Sequence, residues 1–593
     1  MAEKPVIKEK ALDRSDALAA AIIFAAAMVL YVRTLAPTLL LGDSGEYQVL
    51  AYTLGLAHPT GYSIFVLLLK LITLLVPVKD IAYRVNLASA IFAALTLSLL
   101  YLLGKLLGGR RLAALLGVTA LGLYHLFWWH AVIAESYTVA TALLALELLL
   151  VVAWRKTKNA WLLFGAGLAG GLGLGIHTFV LLAAPAVLVY LACKARRFKD
   201  WGLAALGALA GVALAVGSFF ALNARGVPSS FLEQIAPQAA AWGMTAQQFS
   251  SPVNRMIYLM GGKQFQDQMF VNSIDKMTHK ADEYYRAAQH DLPTLMLWLA
   301  GLGLLLLFFY KRPGERRRWP EALLLLLSAA AMLVFIVNYN IGDIYTYYMI
   351  SYIPPLAAAA TGAAGLLDLL AWGIGKLIPS PVSNERIPAS ASSSSISGEQ
   401  IPASSSVSLV SHPWRTRRGG AEGAGGWRSS TRPLAFWLSG MAGAALVAAL
   451  LWVVVAPSAK TVDLSWRMHR ITFLDGTDFA DYPYPVTHPD WPHSQAEAIV
   501  AQVENDAILF TDWGILYPVF YVAQVEDRRP GILAHEQYPA GSDGKLTPTA
   551  IDYIQANFGK HPIYFTQVDD DLAQNYNFVE VDPSIPLYRL EKR

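Results

Sequence analysis

Eleven apolar runs divide this chain, near residues 16–34, 87–108, 112–129, 137–153, 160–176, 178–193, 201–222, 293–310, 321–338, 348–371 and 434–456. Most approach the roughly 20 residues an α-helix needs to cross a bilayer. In lipid the backbone must satisfy its own hydrogen bonds, so such runs fold as helices. Composition agrees. Of the 593 residues only 15% are charged and 55% are hydrophobic, and mean hydropathy is +0.41; a soluble protein is about 25% charged. The expectation is a polytopic α-helical membrane protein with about 11 transmembrane helices.

The first run follows a polar, lysine-containing stretch and has no small-residue cleavage site after it. It reads as a signal anchor. A net charge of +3, with no groove-like basic cluster, gives no reason to expect nucleic acid. The single cysteine, Cys193, excludes an intramolecular disulfide and reads as a buried bystander. No zinc-type Cys/His spacing occurs.

Lys and Arg mark cytoplasmic loops. They gather at Arg110 and Arg111, at Arg155, Lys156 and Lys158, at Lys194, Arg196, Arg197 and Lys199, and at Lys311, Arg312, Arg316, Arg317 and Arg318. The alternate connections, at 131–136, around His177 and at 339–347, hold neither. This alternation predicts a multi-pass protein of the plasma membrane, with its N-terminus cytoplasmic and its C-terminus outside. The run 63–76 is about 14 residues long, short for a span. Counting it as one would move Arg110 and Arg111 outside, so it reads as an interfacial helix in the first external loop, 40–84.

Residues 1–376 are then a transmembrane domain whose long external loop, 223–292, reads equally as a lid or a connector. Residues 377–432 are rich in Pro, Ser and Gly and read as a disordered cytoplasmic linker. The last helix, 433–456, leads to 457–593, enough chain for a small extracytoplasmic domain. There 507–512 and 562–566 read as buried strands, preceded by helical patterns at 495–503 and 548–558. That order predicts an α/β domain with a partly parallel sheet. Asp512 and Trp513 would sit at a carboxyl strand end, where ligands often bind; a scaffold turn explains them equally well.

The topology gathers polar residues on the external face: Asp43, Glu46, Tyr47, His58, Tyr62 and Arg84; then His130, Glu135, Ser136 and Tyr137; then His177; then Asn338, Asn340, Asp343, Tyr345, Tyr347 and Tyr348. Each has a plain reading. Asp43 suits the N-cap of a helix starting near Gly45, with Glu46 completing a capping box. Glu135 can flank the following span and Asp343 can end a helix. His58 can serve a turn, Arg84 can snorkel, His177 can satisfy a local hydrogen bond, and tyrosines line membrane edges. Three acidic positions at one face still point to chemistry. Sugar transfer from a lipid-linked phosphate needs a carboxylate to take the acceptor proton, and cations, a metal or hydrogen-bond donors for the leaving phosphate.

The sequence Gly42-Asp43-Ser44-Gly45-Glu46-Tyr47, followed by Leu56-Ala57-His58-Pro59-Thr60-Gly61-Tyr62, resembles the hallmark of a multi-spanning family first catalogued as a domain of unknown function, DUF2723. Ala134-Glu135-Ser136-Tyr137-Thr138, after Trp128-Trp129, fits its second block. The likeness covers roughly the first 180 residues, and the family pattern has a second proline where Thr60 stands. That family includes a eukaryotic protein O-mannosyltransferase and belongs to the GT-C glycosyltransferases. The resemblance implies a hexosyltransferase that takes a sugar, with mannose as precedent, from a polyprenyl-phosphate donor to an extracytoplasmic protein or glycan acceptor, with protein Ser/Thr as one acceptor class. It implies Asp43 as catalytic base, supported by Glu46 or Glu135, with His58, Tyr62 and Arg84 lining the donor phosphate or the loop. His177, Asp343 and Tyr347 join them on the same face as expected substrate contacts. GT-C enzymes differ in metal use, so a divalent cation stays open. The expected partners are the lipid-linked sugar, the acceptor and membrane lipid.

Two other classes remain. A transporter or flippase would place ionisable groups near span midpoints or break helices in paired repeats; the acids cluster at span ends, and Gly170, Gly171 and Gly173 are the contrary signal. A membrane-anchored sensor would carry its function in 457–593.

Overall fold

The computed structural model describes residues 12–245, 249–311, 317–377, 431–468, 484, 488–539 and 542–593. They fall into two compact units, one of residues up to 366 together with 447–593, the other of 367–446. The expected linker lies outside the described residues except at its ends, where 377 closes one helix and 431–432 open another.

Helices occur at every expected span. α1 (Arg14–Arg33), α2 (Gly42–Thr53) and α3 (Ser63–Leu75) lead into α4 (Ile81–Gly108), α5 (Arg111–Gly122), α6 (His125–Val132), α7 (Tyr137–Thr157), α8 (Trp161–Leu172), α9 (Ala184–Lys194) and α10 (Phe198–Asn223). Among the described residues 7 helices are long and apolar enough to cross a membrane, and 9 if two bent pairs count as spans. These 9, with the shorter apolar helices 161–175 and 178–194, correspond to the expected spans. The segments 161–175 and 178–194 are shorter helices extended by 3-10 turns. The run 112–129 is broken, since α5 and α6 bend by 68° around Tyr124, whose extended backbone lets its hydroxyl donate to Asp291 at 2.6 Å. The last helix runs on from the expected span to Met468, with Pro457 inside it.

The glycines of α8 are a packing seam. A Cβ on Gly167 would lie 2.2 Å from the Ala204 carbonyl, one on Gly171 2.4 Å from that of Ala208, and one on Gly207 2.0 Å from that of Phe164. Small residues let α8 and α10 meet backbone to backbone, which accounts for Gly171 without a transport role. Cys193 is free and half-buried, so it is less enclosed than expected.

α3 is the short helix expected in the first loop. It buries Phe65, Val66, Leu69 and Ile72 and exposes Leu67, Leu71, Leu74 and Leu75, a two-sided apolar surface suited to a membrane interface.

The C-terminal sheet has the order β2-β1-β3-β5-β4. β1 (Ile508–Thr511) pairs in parallel with β2 (Leu533–Glu536) and β3 (Ile563–Phe565). β5 (Tyr588–Lys592) runs antiparallel to β3 and to β4 (Tyr576–Glu580). All of β1 is buried, as an inner parallel strand requires. The helix Trp513–Phe520 leaves β1 and packs on α2, in a core shared by Leu39, Val49, Leu516, Tyr517 and Phe520. Gly45 permits the approach: a Cβ there would lie 2.5 Å from the Leu40 carbonyl and 3.3 Å from Pro518. The first loop and the C-terminal sheet thus share one interior.

Candidate active site

α2 begins at Gly42, not near Gly45, because Gly42 adopts φ +58° and turns the chain into the helix early. Its N-cap is Leu41, and no side chain caps it. The capping-box reading of Asp43 and Glu46 is therefore wrong, and both carboxylates are free for other partners. Asp43 Oδ1 accepts from the Trp513 indole N–H at 3.0 Å. Its Oδ2 lies 3.6 Å from His58 Nε2, and its side chain is 45% exposed. Glu46 is fully buried. Its Oε1 accepts from the His58 backbone N–H at 2.9 Å and from the Tyr517 hydroxyl at 2.8 Å. Its Oε2 meets His58 Nδ1 at 2.5 Å.

His58 thus bridges the two acids, one enclosed and one reachable. The turn after it holds this geometry: Gly61 takes φ +83° and Tyr62 φ 42°, and the Tyr62 ring sits 5.1 Å from His58 and 5.5 Å from Tyr47. Burial pulls the imidazole pKa down, but Asp43 and then Glu46 outweigh it and raise it to about 9. His58 is accordingly a cation at neutral pH. Burial drives Glu46 upward, against the pull of His58.

A cavity of about 480 Å³ opens over this pair. Asp43, His58, Tyr62, Glu135, Asp343 and Tyr347 all line it. Glu135 is held by its loop: its N–H donates to Ser89 Oγ at 3.1 Å, and Ser44 Oγ donates to the Ala134 carbonyl at 2.9 Å. Burial, then Asp43, pushes Glu135 well above the usual carboxylate range; burial also raises Asp343. Asp343 precedes a 3-10 turn, Ile344–Tyr347, without capping it through its side chain. His58 is the one ionisable cation among the described lining residues, which include no Lys or Arg. No three His, Cys, Asp or Glu side chains among the described residues converge to hold a metal ion.

Residues 43–201 match the family model of the Protein O-mannosyl-transferase TMEM260 N-terminal domain. The match opens on Asp43 and takes in Glu46, His58, Tyr62, Glu135 and His177. The chain is 34% identical over 148 residues to Protein O-mannosyl-transferase TMEM260 of Mus musculus, and 23% identical over 151 residues to Protein O-mannosyl-transferase tmem260 of Dictyostelium discoideum. Each stretch is 25% of this chain, and they span only 21% and 18% of those relatives' lengths. The fold as a whole is similar to the crystal structure of ArnT from Cupriavidus metallidurans in the apo state. The TM-score is 0.50 at 13% identity, covering 97% of this chain and 98% of that one. The architecture is that of a polytopic membrane protein similar in fold to that structure, with a small C-terminal sheet domain.

Three expected residues do not line the cavity: Glu46, enclosed behind His58, and His177 and Arg84. His177 lies behind it, against Tyr62, Tyr137 and Tyr347 at 6.3, 5.0 and 5.2 Å, and its Nδ1 accepts from the Phe179 N–H at 3.4 Å. Arg84 is not brought to the site. Its guanidinium donates to the carbonyls of Val78, Thr73 and Lys79 at 2.8, 3.1 and 2.7 Å, closing the end of α3 and the turn beyond.

The loop 223–292 supplies wall, through Phe231, Trp242, Gln264, Phe265 and Gln268. The C-terminal domain supplies Trp513 and Glu536. Asp512 is a scaffold residue, accepting from the Ile515 N–H at 3.3 Å as a helix N-cap. Sequence reasoning missed Tyr517 and Glu536. The signal for Glu536 is its place at the carboxyl end of a third parallel strand, β2, which no sequence pattern singled out.

Proposed function

We propose that this chain is a glycosyltransferase of the DUF2723 type. It moves a sugar, mannose by the precedent of the named relatives, from a polyprenyl-phosphate donor to an extracytoplasmic acceptor, with protein Ser/Thr hydroxyls as the leading acceptor class. The chain sits in the plasma membrane with its N-terminus cytoplasmic and the sheet domain outside. The observation that carries the reading is Asp43, the carboxylate of the Asp43–His58–Glu46 group that is open to the cavity.

Asp43 takes the proton of the acceptor hydroxyl as its oxygen attacks the anomeric carbon. The bond from that carbon to the phosphate oxygen breaks, and the phosphate leaves with the electron pair, in one inverting displacement. His58 is the cation available to the leaving phosphate. Glu46 holds His58 from behind, and Trp513 fixes the rotamer of Asp43.

The test is transfer by purified Asp43→Asn beside wild type, with polyprenyl-phosphate mannose and a Ser/Thr peptide. General-base catalysis is worth about 10²–10⁴ in rate, so a loss of at least about 100-fold with normal folding is expected. Full activity in the variant would sink the reading.

A further inference from the structure

The wall contributed by the C-terminal domain carries polar groups that the transfer step does not use. Glu536 ends β2, is 8% exposed, and lines the cavity that holds Asp43. Its Oε2 is buried with no hydrogen-bond partner among the described residues. Trp242 Nε1 and Gln264 Oε1, on two further lining residues, are buried and unpartnered in the same sense. Buried polar groups are nearly always satisfied, so three on the lining of one cavity are a demand for a ligand rich in hydrogen bonds.

The wall is built, not loose. Gln238 Nε2 donates to the backbone carbonyl of Glu536 at 2.8 Å and also to that of Gln537. His535 Nδ1–H donates to the Gln234 carbonyl at 2.8 Å. These bonds tie β2 to the segment 231–238 and set Glu536 on a rigid strand end, where parallel sheets bind ligands. Phe231 packs against Trp242 at 5.2 Å and Trp513 at 6.0 Å, adding flat apolar surface beside the polar atoms. A carboxylate oxygen and an amide oxygen accept, an indole N–H donates, and ring faces cover carbon. That set complements a polyhydroxylated ring.

We propose that Glu536 is a substrate-contacting carboxylate that accepts hydrogen bonds from sugar hydroxyls, with Trp242 and Gln264 completing the subsite. The proposal rests on the glycosyltransferase reading above. The sugar is the one on the lipid-linked donor or one already on the acceptor; the recognising chemistry is the same.

The test uses the full chain in detergent, with wild type, Glu536→Gln and Glu536→Ala. Tryptophan fluorescence is titrated with mannose 1-phosphate, and transfer is measured from polyprenyl-phosphate mannose to a Ser/Thr peptide. The lost hydrogen bonds predict binding weakened several-fold, up to about tenfold or more, in Glu536→Ala. Transfer by Glu536→Gln should show a raised KM with kcat little changed. A raised donor KM assigns the subsite to the carried sugar, and a raised acceptor KM assigns it to the acceptor. If Glu536→Ala folds poorly, the near-isosteric Gln variant decides. Sugar binding and both KM values within about twofold of wild type, below the cost of one such bond, would overturn the proposal. If wild type transfers no sugar while its fluorescence response still depends on Glu536, the glycosyltransferase reading falls and the subsite stands.

Discussion

The two walls of the cavity are satisfied differently. On the first-loop wall, Asp43 accepts from Trp513 and stands 3.6 Å from His58, and Glu46, behind the wall, accepts from His58 and Tyr517, so each side chain has a protein partner before any ligand arrives. Elsewhere on the lining, Glu536, Trp242 and Gln264 keep buried atoms without partners among the described residues. The first pattern is that of preorganised chemistry, in which groups must stand in position when charge develops. The second is that of recognition, in which the substrate supplies the missing bonds. The family match, 43–201, holds the first wall and none of the second.

The comparison breaks most readily at Asp43, where the Asn variant should lose the largest factor in kcat. Next comes Glu46→Ala, which strips an acceptor from Tyr517 and a counter-charge from His58 inside a closed core. Removing one partner of a buried charged pair costs about 3–5 kcal/mol, so a large drop in Tm should accompany loss of transfer. A Tm equal to wild type would mean that the first wall is not held as described. Trp513→Phe keeps an aromatic ring at the position but removes the N–H on Asp43 together with part of the indole. One hydrogen bond to a charged group is worth about 1.5–3 kcal/mol, so kcat/KM should fall roughly tenfold or more with the fold intact.

A fourth measurement concerns pH. His58 binds its proton more tightly when folded, its pKa rising from 6.5 to about 9. Its contribution to stability is therefore complete below pH 6.5 and is lost as pH climbs through about 9. Wild-type Tm should fall across that window, and His58→Gln should flatten the fall; parallel curves would remove His58 from the account. The smallest effect belongs to Arg84, which lies apart from both walls. Arg84→Ala should lower Tm modestly through its lost backbone bonds and leave both KM values unchanged.

Much of the fold is written in short-range pattern. The apolar runs place the helices, and two strand patterns with their preceding helices foretell a partly parallel sheet. The bend at Tyr124 and the short segments on either side of His177 are not legible, because hydropathy measures how a segment prefers lipid and not where its helix breaks. At the site, Asp43, His58, Tyr62, Glu135, Asp343 and Tyr347 were legible as a group once the topology had put them on one face. Arg84 satisfied the same criterion and went elsewhere, since a face is wider than a cavity. The three-residue spacing of Asp43 and Glu46 fits a capping box, and only the early helix start at Gly42 excludes it.

What the sequence alone determined is the membrane architecture and the set of acids at one end of it, because the cost of burying charge in lipid acts residue by residue along the chain. What only the tertiary structure decided is which of those acids is enclosed and which is open. Asp43 meets Trp513, and Glu46 meets Tyr517, across more than 400 residues of chain. Glu536 joins their cavity from a strand of four residues. Hydrogen-bond satisfaction in a closed interior depends on such distant partners, and no local pattern encodes them.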